Sequence, residues 1–112
     1  MHDEKDSLGK QAKKLEKYIL TLPHAKHLNS LSSAPREVMI TLQNSAYTAR
    51  RSLEVYSSTD DTHEKQLSLE EAVTQLKKVQ EAILHASQHD LLGIADVAHL
   101  SALSEQLTDQ LK

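Results

Sequence analysis

Between Pro35 and Gly93 the chain contains neither proline nor glycine. A sheet built from such a stretch would need turn residues about every eight to twelve positions, and none are there. Apolar residues recur instead at helical spacing, which allows two long helices and one polar turn. Gly9 and Pro23 are the only other strong breakers. A chain of 112 residues is expected to form a single domain, long enough to bury one core without a metal or disulfide. The expected fold is all-α, an up-and-down four-helix bundle with coiled-coil-like packing. Residues 1–5 are expected to form a flexible N-terminus.

The first helix is expected over residues 6–22, with Asp6 or Ser7 as its N-cap. Leu8, Ala12, Leu15, Ile19 and Leu22 follow at alternating steps of four and three, a single apolar stripe. Pro23 ends it, and a connector over 23–34 offers Leu28 and Leu31 to the underside of the bundle. A second helix should start near Ser33 or Ala34, with Pro35 in its first turn, where the missing N–H is harmless. Met39, Leu42, Ala46, Ala49, Leu53 and Tyr56 form its seam, small in the middle. A polar turn over 57–62 follows, with Asp61 and Glu64 at capping-box spacing. The third helix carries Leu69, Ala72, Leu76, Val79, Ile83 and Ala86, its face widened by Val73 and Leu84. Gly93 marks a tight link, and a fourth helix from Ala95 or Asp96 lines up Val97, Leu100, Leu103, Leu107 and Leu111.

Phe, Trp and Cys are all absent, so the core must come from Leu, Ile, Val, Ala, Met and three tyrosines. Lack of cysteine removes a thiol nucleophile and a Cys-type zinc site, and it fits a cytoplasmic location. The polar N-terminus has no apolar h-region, so no signal peptide is expected. No apolar run reaches the roughly 18 residues of a membrane span, so no membrane partner is expected. Charge is uneven. Residues 1–56 carry nine Lys/Arg against six Asp/Glu, whereas residues 57–112 carry four against ten. The split suits a basic face for nucleic acid and equally suits helices of opposite charge packing together.

Seven histidines are many for this length. His85 and His89 have the i, i+4 spacing of a zinc pair, with Glu81 one turn earlier. Imidazoles at a helix C-terminus also suit the dipole and solvent, so no metal or other cofactor is expected. No Gly-x-Ser-x-Gly, HExxH or phosphate-binding glycine loop occurs, and the chain is not expected to be an enzyme. Candidate nucleic-acid contacts, to RNA or DNA, are Lys10, Lys13, Lys14, Lys17, Arg36, Arg50, Arg51, Lys77 and Lys78. Arg50 and Arg51 point about 100° apart, so at most one turns to the core side. Tyr18, Leu22, Ile40, Tyr47 and Val55 exceed what one seam needs and are the candidate oligomer interface.

The order of these features resembles a bacterial four-helix-bundle family. It comprises the accessory variability determinant (Avd) proteins of diversity-generating retroelements and the proteins encoded by intervening sequences in large-subunit ribosomal RNA genes. The resemblance runs through Tyr18-Ile-Leu-Thr-Leu-Pro23, the Pro-led second helix and its Ala-rich, Arg-containing end Ala46–Tyr56. It continues through the Leu heptads of Leu69–Ala86, the link Leu91-Leu92-Gly93-Ile94 and the segment from Val97 to Leu107. It implies a homopentameric barrel that binds nucleic acid and a reverse transcriptase. The expected function is therefore a non-enzymatic, oligomeric accessory protein of a reverse transcriptase. The rival expectation is a helical protein–protein interaction module with no nucleic-acid role.

Overall fold

The structure, a computed structural model, describes the backbone of residues 2–111 and the side chains of residues 8–111. Helix α1 spans His2–Thr21, a single turn α2 spans Pro23–Lys26, and a 3-10 turn covers Leu28–Ser30. Three longer helices follow, α3 (Ser33–Ser58), α4 (Thr62–Gln88) and α5 (Ile94–Gln110). No strand occurs among the described residues, and the protein is an all-α helical bundle.

Side-chain partners set the direction of every neighbour. Glu16 meets Arg50 and Ala25 meets Gln43, so the chain through α1 and α2 runs antiparallel to α3. Lys65 lies over the Tyr56 ring and His89 lines a groove with Ala34, so α3 and α4 form an antiparallel hairpin. Tyr18 meets Asp96 while Lys14 and Leu103 share a groove, so α5 runs antiparallel to α1. With α4 packed on α5, the ring order is α1, α3, α4, α5, up and down throughout. The body measures 44 × 23 × 20 Å.

The apolar stripes are the core. Leu8, Ala12, Leu15, Ile19 and Leu22 of the first stripe are buried, as are Met39, Leu42, Ala46, Ala49 and Leu53 of α3. From α4 come Ala72, Leu76, Val79, Ala82, Ile83 and Ala86. Five of these eleven side chains on α3 and α4 are alanines, and they allow the two helix axes to approach closely. Leu28 and Leu31 of the connector pack partly buried against this core.

Local chemistry fixes the ends. Arg36 N–H makes the first bond of α3, to Ser32 C=O at 3.0 Å, so Pro35 forfeits nothing. Asp61 caps α4, its carboxylate accepting from Glu64 N–H at 2.9 Å. The Thr59 hydroxyl donates to the Glu64 carboxylate at 3.0 Å and accepts from Asp61 N–H at 3.2 Å, closing the turn. At the far end of α4, Leu91 N–H bonds Ala86 C=O at 2.9 Å and Asp90 N–H bonds Ser87 C=O at 3.1 Å. This is a Schellman ending, whose left-handed residue is Asp90 at φ 58°.

Several expectations are corrected. Helix α1 begins at His2, so the backbone of residues 2–5 is helical and Asp6 and Ser7 are not its start. Met1 and the side chains of Asp6 and Ser7 lie outside the described residues. Gly93 has φ −75° and open space where a Cβ would stand, so the link depends on Asp90 and not on glycine. Helix α5 starts at Ile94, slightly earlier than expected. Leu69 is only half-buried because α5, with 17 residues, runs out before covering the first part of the 27-residue α4. Leu84 does not widen the core face and is 59% exposed; Ala82 and Ser104 are buried instead. Ser104 spends its hydroxyl on Ser101 C=O at 3.1 Å, which lets a polar residue occupy a core position.

Candidate interaction surfaces

Lys10, Lys13, Lys14 and Lys17 are all exposed and fall within about 100° of α1. Their centre lies diametrically opposite the Leu8–Leu22 stripe, so burying the stripe turns all four ammonium groups outward. Lys14 and Lys17 reach the side facing α5. There they line a groove of about 460 Å³ with Tyr18, Thr21, His99 and Leu103. The Tyr18 hydroxyl donates to Asp96 Oδ1 at 2.6 Å. That bond above all, then burial and the Asp96 charge, pushes the Tyr18 pKa up. The His99 ring leans on the Tyr18 ring with centroids 4.5 Å apart and planes 42° apart.

The other basic candidates do not join this row. Arg50 is committed inside the fold. Its Nε donates to Glu16 Oε1 at 2.6 Å and its Nη1 to Glu54 Oε1 at 2.6 Å. Its guanidinium also sits 5.1 Å from the Tyr47 ring centre. Burial alone would lower its pKa, and the Glu16 hydrogen bond followed by the Glu16, Glu54 and Tyr47 charges carries it higher than usual. Arg50 is therefore a clamp between α1 and α3, not a free phosphate contact. Arg36 turns back to donate to Leu31 C=O at 2.8 Å, tying the connector to α3. Arg51 is exposed. Lys77 and Lys78 are exposed on α4, diagonally across the bundle from α1, so the nine basic candidates do not make one surface.

The apolar candidates also divide. Leu22 is 4% exposed and belongs to the core of the bundle, because Pro23 at the start of α2 turns the chain beneath it. Tyr18 and Val55 are half-buried, and Tyr18 is engaged with α5. Ile40 (37% exposed) and Tyr47 (49%) remain, on the same outer face of α3 as Arg51. The Glu16–Arg50 and Ala25–Gln43 pairs set a register that brings Leu20, 50% exposed, level with Tyr47. Sequence reasoning omitted Leu20, although its position off the Leu15–Ile19–Leu22 stripe was a usable signal.

His85 and His89 line a groove of about 520 Å³ between α3 and α4, together with Glu37, Glu81 and Lys78. Among the described residues, no three His, Asp or Glu side chains converge in a way that could hold a metal ion. Nor does any described helix have the length and apolarity to cross a membrane.

The class defined by these features is an all-α, up-and-down helical bundle with a lysine-lined outer helix. The chain matches no protein-family model, no curated protein and no solved structure.

Proposed function

We propose that this protein is a non-enzymatic, self-associating accessory protein of the Avd type, working in the cytoplasm with a reverse transcriptase and nucleic acid. The observation that supports it best is the row Lys10, Lys13, Lys14 and Lys17, exposed on the side of α1 away from the core. A helix that turns four cations to solvent suits a phosphate backbone. The reverse transcriptase and the pentamer come from the family resemblance alone. Self-association draws support from the exposed Leu20, Ile40 and Tyr47 on α1 and α3.

Two measurements test this reading. RNA binding across a salt series should show a log–log slope of about −0.7 per contacted phosphate for single strands. Changing the four lysines to Gln should flatten that slope and leave the circular dichroism intact. Light scattering should report an oligomer that Tyr47→Glu dissociates, because an unpaired charge resists burial. A monomeric wild type at micromolar concentration refutes the self-association.

A second reading, a helical protein–protein interaction module, draws on the commitment of Arg50 and on the net charge of −3. It takes over if wild type binds neither RNA nor DNA at about 50 mM salt, alone and with a cognate reverse transcriptase.

A further inference from the structure

The groove between α1 and α5 has a chemistry that the lysine row alone lacks. Its walls are aromatic and aliphatic: Tyr18 and His99, with Leu103 beside them. Its cations come from one helix, Lys14 and Lys17. The antiparallel register orders these groups along the groove. Lys14 and Leu103 lie at one end, the Tyr18–His99 pair occupies the middle, and Thr21 lies at the other end. The Asp96 carboxylate would repel an anion, but it is not among the groove-lining residues and it accepts the Tyr18 hydroxyl hydrogen bond at 2.6 Å. The same bond anchors the Tyr18 ring, and that ring braces His99. His99 itself is exposed and can offer a flat face. The volume of about 460 Å³ suits a small planar ligand.

From this arrangement we propose that the α1–α5 groove is a single-nucleotide subsite for single-stranded RNA. One base stacks on His99 over Leu103, and its phosphate sits between the Lys14 and Lys17 ammonium groups. Stacking on an aromatic side chain reads any base, so the subsite distinguishes a strand with bases from a bare backbone and has little sequence preference. Asp96 and Tyr18 act as positioning residues that hold His99 at the mouth. This inference rests on the nucleic-acid reading above and adds to it the place where a base is held.

The experiment compares two fluorescein-labelled strands of equal length and phosphate count, an oligouridylate and an abasic ribose-phosphate oligomer, by fluorescence anisotropy with the full chain. Wild type should bind oligouridylate about tenfold more tightly, the lower range for one stacked base. His99→Ala should remove that preference with unchanged circular dichroism, since the side chain is exposed. Lys14→Gln with Lys17→Gln should weaken both strands together. Equal binding of both strands by wild type, or a preference that survives His99→Ala, overturns the subsite and leaves the nucleic-acid reading standing. Binding of neither strand at about 50 mM salt overturns both.

Discussion

The α3–α4 hairpin and the α1–α5 seam are both antiparallel helix pairs, yet they are built from different material. The hairpin sets Ala46, Ala49 and Leu53 on one helix and Ala72, Leu76, Val79 and Ala86 on the other, each at most 1% exposed. Nothing in those rows needs a polar partner. The seam instead meets through Tyr18, Asp96 and His99, and an open groove runs along it. Both pairs feed the core, the seam through Leu15, Ile19, Leu100 and Leu107, and the seam adds a polar and an aromatic contact between its helices at the outer edge. A helix pair can thus keep an apolar inner face and still line a groove with polar and aromatic groups along its outer edge.

That contrast is open to test. Leu76→Ala removes a side chain with no exposure and should cost about 2–5 kcal/mol in urea denaturation. Leu103→Ala removes a half-buried side chain from the seam and should cost less than about 2 kcal/mol. Equal losses would mean that the seam bears as much of the fold as the hairpin.

The attachment of α1 to the hairpin is the next largest effect. Arg50 and Glu16 side chains are 16% and 17% exposed, and their contact is charge-assisted. Arg50→Gln should cost about 1–2 kcal/mol. Arg51→Gln, on an exposed neighbour, should stay within about 0.5 kcal/mol. If the two variants unfold at the same urea midpoint, Arg50 is not a clamp.

The smallest effect belongs to Tyr18 and shows in its pH dependence. Its pKa is raised above the ordinary 10.0. Such a group stabilises the fold below its unfolded pKa, and the contribution disappears as pH rises through the folded value. Wild type should melt above Tyr18→Phe at neutral pH, and the gap between them should narrow as pH rises through the raised tyrosine pKa. A gap that stays constant across that range would show that the Asp96 bond does not stabilise the seam.

Helical periodicity made the stripes readable in the sequence, because burial on one face leaves a repeat of three and four. Residues whose exposure depends on a neighbour's length were not readable that way. Leu69 has the correct spacing, but nothing local to it reveals where α5 stops. Arg50 looked like a free cation because Glu16, its partner, lies 34 positions away; Glu54, four positions on, was the visible hint. The Tyr18–Asp96 contact spans 78 positions and left no local sign at all. Asp90 was passed over because a glycine nearby is the usual marker of a link. The groove follows from two helices meeting, and neither helix alone encodes it.

The absence of Phe and Trp leaves the three tyrosines as the chromophores of the near ultraviolet. All three lie in the first half of the chain, and each packs against a different kind of side chain. Tyr18 touches His99 across the seam, Tyr47 lies under the Arg50 guanidinium, and Tyr56 lies under the Lys65 ammonium at 5.8 Å. The near-ultraviolet spectrum of this protein therefore reports two helix junctions directly and the Arg50 clamp through Tyr47. Each tyrosine can be removed in turn to assign its band, so the bundle carries its own chromophores for following α1 against α5, α3 against α4, and the Arg50 side chain that reaches Glu16 of α1.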